Sequence, residues 1–291
     1  MGRVEEMVER VWPGLHAEVE TLGGGITNRN FKVTVGGSVY VLRIGGRDTE
    51  LLGIDRRVEH EASLAAAAVG VGPEVIAFVE PEGYLVTRFI GGEHVTPEAI
   101  RGPEGLRRVA HSLRAIHAGP PIPARFDSFR VVEAYAATAA THGIAVPDAF
   151  DRAQETAAQV ERARGPVPER PCHNDLLTAN FIDDGSRIRI VDWEYAGMGD
   201  VFFDLANFAV NNGLGEGEST ELLRAYFGDV TPAHERSLAL MRFMSDFREA
   251  MWGVVQQALS ELDFDFRGYA DQHFERLERT AAEPSFRRAL G

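Results

Sequence analysis

Cysteine is nearly absent from this 291-residue chain: Cys172 is the only one, so no internal disulfide can form and a reducing cytoplasm is the expected compartment. Long apolar runs are missing too. None approaches the roughly 20 residues needed to cross a bilayer, so no membrane partner is expected. The charged opening segment, residues 1–10, reads as a helix rather than a secretory signal. Positive charge is in deficit, with 30 Lys and Arg against 44 Asp and Glu and a net charge of −14. That speaks against nucleic acid, whose phosphates are bound through Lys and Arg, and permits a cationic substrate or plain solubility. Two nucleotide-binding signatures are also lacking: no glycine loop ends in Gly-Lys-Ser/Thr, and no Gly-x-Gly-x-x-Gly opens a helix. The P-loop and dinucleotide architectures are therefore disfavoured. Hydrophobic residues at 44% and charged residues at 25% are those of an ordinary globular protein, and no repeat or low-complexity tract is evident.

Polar residues with catalytic potential are concentrated in 172–194, between apolar runs. His173, Asp175 and Asn180 share one loop, and Asp192 closes 188–191, which alternates like a short strand. A base, an oxygen-bearing metal ligand and a second carboxylate on adjacent loops are the minimal equipment for magnesium-assisted phosphoryl transfer. Cys172 beside them has no separate base arrangement and reads as a packing residue, not a nucleophile.

Upstream, Val4, Met7, Val8, Val11 and Trp12 predict a short amphipathic helix. Strands follow at 19–22, 31–35 and 38–44, joined by the glycine-rich turn 23–30 and by Gly36-Gly37. A glycine-rich turn lets backbone N–H groups approach phosphate, although a flexible hairpin without ligand reads the same. Arg43, in an apolar strand, is either an arginine snorkelling to water or a phosphate clamp. The helix expected over 54–69 carries a small-residue face, Val58, Ala62, Ala65 and Ala66, suited to packing on a sheet, and either Glu59 or Glu61 could pair with Arg43. A hairpin at 75–79 and 84–90 completes five strands, and Gly91-Gly92 reads as a hinge. Beyond it the pattern is helical, at 104–117, 131–140, 149–164, after 200, and at 219–228, 232–260 and 266–282. The division expected is a nucleotide-binding lobe, 1–92, and a catalytic and substrate-binding lobe, 93–291, in an α+β fold.

The order of strand, glycine turn, strand, Arg, Glu, hinge, then His-x-Asp-x-x-x-x-Asn and Val191-Asp192-Trp193-Glu194 resembles the protein-kinase-like fold, specifically the choline/ethanolamine kinase and aminoglycoside phosphotransferase families. The resemblance implies an antiparallel N-lobe sheet with one αC-like helix over a mainly helical C-lobe, and MgATP as phosphate donor. It implies that Asp175 is the base, that His173 orients the loop, and that Asn180 and Asp192 hold Mg²⁺. Gly24, Gly25, Thr27 and Asn28 would cradle phosphate, Arg43 would clamp it with Glu59 as partner, and Arg88-Phe89-Ile90 would receive adenine through its backbone. Asp204 would brace the catalytic loop. The segment 243–256 is similar to the choline-kinase helix that supplies an aromatic box, with Trp252 the matching tryptophan; Tyr195 and Tyr269 could complete the box, and Asp246 or Glu249 lend charge. Glu249 and Asn211 depart from the animal choline kinases, which carry a tryptophan and an acidic residue there. The acceptor implied is an amino alcohol, choline or ethanolamine first, with an aminoglycoside or thiamine kinase as the alternative. A pseudokinase scaffold, the reading from another class, is opposed by the intact Asp175, Asn180 and Asp192. A homodimer is compatible with the sequence, which shows no interface.

Overall fold

The computed structural model describes residues 3–23 and 27–291. It opens with helix α1 (Arg3–Val11), which leads into an antiparallel sheet of β1 (Ala17–Leu22), β2 (Asn28–Val35), β3 (Ser38–Gly45), β4 (Val75–Val79) and β5 (Tyr84–Arg88). Its spatial order is β1-β2-β3-β5-β4. Strand alternation sets the faces: Phe31, Val33 and Val35 of β2 and Leu42 and Ile44 of β3 point into a small core closed by Met7 and Val8 of α1. Gly36 and Gly37, at φ 57° and 79°, make the β2–β3 turn, whose two left-handed residues match the strand twist.

Helix α2 (Arg56–Ala68) starts at Asp55, whose carboxylate accepts from the N–H groups of Arg57 and Val58. Asp55→Ala is expected to cost about 1 kcal/mol, read as a shift in the urea midpoint with unchanged slope. α2 packs on β4 of the sheet, as expected, but its small-residue face meets more than the sheet. Ala62, Ala65 and Ala66 belong to the large second core rather than to the sheet's core. The cause lies just past the helix, where the Val71 carbonyl accepts from Ile190 N–H and the Gly70, Val71 and Gly72 carbonyls accept from the Arg187 and Arg189 guanidinium groups. These bonds stitch the end of α2 to a hairpin far along the chain.

After β6 (Glu93–His94) come α3 (Pro97–Arg101), α4 (Pro103–His117), α5 (Ser128–Thr141) and α6 (Ala149–Arg164). The loop region then holds β7 (Arg170–Cys172), β8 (Phe181–Asp183), β9 (Ile188–Ile190) and β10 (Gly197–Gly199), with β6-β8-β9 and β10-β7 forming two small sheets. Helices α7 (Val201–Asn211), α8 (Glu216–Phe227), α9 (Pro232–Leu259), α10 (Phe266–Ala282) and α11 (Pro284–Leu290) complete the chain. α9 is its axis, buried at every residue from Leu240 to Gln256 except Arg242, with α5, α7 and α10 packed around it. A helix buried on all sides is an interior element, and the polar residues that α9 carries inward, Asp246, Arg248 and Glu249 among them, must find their partners inside. Of the small strands, β9 matches the alternating run expected at 188–191, whereas the short α3 and α11 and the other small strands had no periodic signal long enough to read.

Candidate functional site

A cleft of about 600 Å³ lies between the five-stranded sheet and the β8–β9 hairpin. Val41, Leu85 and Ile90 line one side and Ile182 the other, with Arg43, Asn180 and Asp192 among the polar lining. Of the segment expected to receive adenine, Arg88, Phe89 and Ile90 all line the cleft, yet two of its N–H groups are already used: Arg88 N–H donates to the Glu74 carbonyl and Phe89 N–H to Val39. The Arg88 side chain turns outward onto Glu74, 2.8 Å away, and over the Tyr40 ring.

Asp175, His173 and Asn180 are held in shape by a buried carboxylate. Asp204, on the first turn of α7, accepts from the backbone N–H of His173 (2.8 Å) and of Asn174 (2.7 Å) and bonds His117 Nε2 (2.9 Å). Burial alone would raise its pKa, but these bonds and the neighbouring His117 hold it below the usual carboxylate value. Asn174 is left-handed at φ 67° and its amide donates to the Tyr195 carbonyl, so the turn is paid for by local hydrogen bonds. His173 Nε2 donates to the Val191 carbonyl while Nδ1 accepts from Asp175 N–H, and burial lowers its pKa. It is a neutral ring tying the Asp175 loop to the strand before Asp192. Cys172 is fully buried and its thiol is pushed well up, first by burial and then by Asp204, which leaves no thiolate for nucleophilic work.

Asn180 Nδ2 donates to the Asp175 carbonyl, leaving Oδ1 as the free end of the amide. Asp192, left-handed at φ 71°, meets Arg43 at 2.5 Å, and the same Arg43 nitrogen reaches Glu59 at 2.8 Å. Glu59 is therefore the partner of Arg43, and the exposed Glu61 is not. An amide oxygen and a carboxylate lining one cleft are hard donors that fit Mg²⁺, and Arg43 lines the same cleft. Arg43 remains charged throughout, since Asp192 and Glu59 outweigh the cost of its burial.

The phosphate-loop expectation divides. Gly24 and Gly25 lie outside the described residues. Thr27 and Asn28 are described, and their side chains bond Glu194, at 2.5 Å and 2.8 Å, while Gly23 and Asn30 of this turn line the cleft instead. Arg56 closes this network, reaching Glu194 at 3.1 Å and Glu59 at 2.7 Å. Burial first, then the charges of Asp192 and Glu59, push the Glu194 pKa up. Neither Glu194 nor Arg56 was singled out from the sequence; only folding brings residues so distant in the chain together.

On the acceptor side, Tyr195, Trp252, Tyr269 and Glu249 are brought together around a residue the sequence did not flag. Arg248, 1% exposed, donates from Nη1 to Asp175 (3.1 Å) and to Glu249 (2.8 Å), and its guanidinium carbon lies 4.4 Å from the Tyr195 ring centre. Trp252 Nε1 donates to the Tyr195 hydroxyl, and the Tyr269 hydroxyl donates to Glu249. Asn207 of α7 donates to Glu249 and accepts from Leu176 N–H, coupling this cluster to the Asp175 loop. Burial pushes the Asp175 pKa up, opposed by Arg248 and reinforced by Glu249, Asp192 and Glu194. Asp246 is a correction. It is buried against His273 (2.9 Å) and Arg276 (2.5 Å), so its charge is neutralised on α10. A carboxylate at helical spacing from Glu249 and Trp252 looked equivalent in sequence, but α10 supplies it with two partners of its own.

An antiparallel sheet with one inserted helix, a cleft, and a helical body carrying Asp175, Asn180 and Asp192 on adjacent loops define a kinase-like phosphotransferase. The chain belongs to the phosphotransferase enzyme family, whose model matches residues 18–240. A choline/ethanolamine kinase family protein from Mesorhizobium loti is 33% identical and superposes with a TM-score of 0.84, covering 100% of this chain and 98% of that one. Protein LicA of Haemophilus influenzae is 25% identical over 88% of this chain and 78% of its own length. Ethanolamine kinase 1 of Mus musculus is likewise 25% identical, over 90% of this chain and 84% of its own.

Proposed function

We propose that this protein is an ATP-dependent small-molecule kinase that transfers the γ-phosphate to the hydroxyl of an amino alcohol, with choline and ethanolamine as the first acceptors to test. The observation that carries the reading is the meeting of Asp175, Asn180 and Asp192 beside the cleft, with Arg43 bridging Asp192 and Glu59. The names of the relatives support the acceptor class. In this reading residues 1–92 form the nucleotide lobe and 93–291 the catalytic and acceptor lobe. Adenine lies in the apolar part of the cleft against Ile90, and Arg43 draws in the phosphates. Asn180 and Asp192 would hold Mg²⁺, which neutralises phosphate charge when bound. Asp175 aligns the acceptor hydroxyl and takes its proton as the new oxygen–phosphorus bond forms and the bond to the departing ADP oxygen breaks.

The test is ADP release over choline, ethanolamine, thiamine and kanamycin, with Mg²⁺ and with excess EDTA. Stimulation by an amino alcohol that EDTA abolishes and added Mg²⁺ restores is the expected result. Stimulation by kanamycin or thiamine alone would replace the amino-alcohol reading. ATP binding with no stimulation by any alcohol would favour a scaffold. No helix among the described residues is long and apolar enough to cross a membrane.

A further inference from the structure

Recognition of a quaternary ammonium depends on open aromatic faces, because such a cation has no N–H to donate. The aromatic residues beside Asp175 offer little open face. Tyr195 is 8% exposed and already carries a cation, the Arg248 guanidinium, at 4.4 Å from its ring centre. Trp252 is also 8% exposed; the edges of Phe266 and Tyr269 pack against it, and its indole nitrogen is bonded to the Tyr195 hydroxyl. The carboxylate that could offset a substrate's charge, Glu249, is occupied by Arg248, Asn207 and Tyr269.

From these contacts we infer that Arg248 is a specificity-determining residue that acts as a built-in cation in the acceptor site and selects against quaternary ammonium acceptors, leaving primary amino alcohols of the ethanolamine type as the preferred substrates. The inference rests on the amino-alcohol kinase reading and narrows it. Two physical effects work in the same direction. The guanidinium covers the ring face that a trimethylammonium head would use, and its charge repels a second cation that cannot hydrogen-bond to a carboxylate in compensation. A primary ammonium has three N–H donors and can add a hydrogen bond to Glu249 Oε2, where Tyr269 donates, away from Oε1, where Arg248 and Asn207 donate. Arg248 is held in this role because its Nη1 is shared between Asp175 and Glu249 and its guanidinium is packed, almost wholly buried, over the Tyr195 ring. A guanidinium so fixed cannot turn aside to admit a bulky cation without breaking a buried ion pair.

The experiment measures kcat/KM for ethanolamine and for choline with the wild-type enzyme, with Arg248→Lys, and with the double variant R248M/E249Q. The double variant removes both charges of the pair together, so neither is stranded in the interior. In the wild type, ethanolamine should be preferred by about tenfold or more. Arg248→Lys keeps a cation in place and should retain the preference. In the double variant kcat should fall for both acceptors, because Asp175 loses its guanidinium partner, while the preference itself collapses toward parity or reverses. A wild-type arm needs no variant: with ethanolamine as substrate, ethylammonium should compete and tetramethylammonium should not. Equal use of choline and ethanolamine by the wild type, competition by tetramethylammonium, or an unchanged ratio in a folded double variant overturns the role of Arg248. Turnover of neither acceptor by the wild type overturns the amino-alcohol reading itself, and this inference with it.

Discussion

Asp175→Asn is expected to lower kcat by roughly 10²–10⁴-fold while ATP binds with near wild-type affinity. The substitution is nearly isosteric. An amide at this position keeps an oxygen for the 3.1 Å bond from Arg248, and the backbone bonds to Asp204, made by His173 and Asn174, do not involve the changed atoms. What disappears is the group that can accept the hydroxyl proton as oxygen–phosphorus bond formation acidifies it. The nucleotide contacts proposed for Arg43, Asn180 and Asp192 are untouched. Calorimetric titration with ATP alongside the ADP-release assay separates the two effects. Near-normal turnover would remove Asp175 from the role of base, and a parallel loss of ATP affinity would mean that the variant had deformed the loop.

Asp204→Ala is expected to be the most destabilising single change at the site, by about 3–5 kcal/mol, although Asp204 touches no reacting atom. Its carboxylate is wholly buried and satisfies two backbone N–H groups and one imidazole. Alanine would strand all three donors in the interior with no water to replace the lost oxygens. Because the folded-state pKa of Asp204 is held below its unfolded value, its contribution is present above the ordinary carboxylate range and is lost as pH falls through the depressed value. Urea denaturation at neutral pH, wild type against variant, reads the loss. A variant within 1 kcal/mol of wild type would show that the loop is held by its other contacts.

The same two aspartates show how far residue order carried. His173, Asp175, Asn180 and Asp192 were legible because they sit within one loop–strand–loop segment, where chain connectivity alone keeps them close. Asp204 was legible through its family resemblance. The strands of the sheet and the long helices were legible because period-2 and period-3.6 apolar patterns report which side of an element is buried. Asp246 shows the limit. It shares a helix with Glu249 and Trp252, and nothing local says that His273 and Arg276 arrive from α10 to neutralise it. The alanines of α2 show another: a small-residue face records close packing but not all of its partners, which include the large core as well as β4 of the sheet.

Sequence alone thus determined the strands and the long helices, through local periodicity, while resemblance to a family supplied the kinase-like architecture, the reaction class and the residues expected to perform the transfer. Tertiary structure alone decided which charges are free and which are spent. Glu194 is tied to Thr27, Asn28 and Arg56, and Arg248 is placed between Asp175, Glu249 and the face of Tyr195. Those pairings join residues far apart in the chain. A charge on a helix has many candidate partners until packing brings one within about 3 Å and removes the water between them.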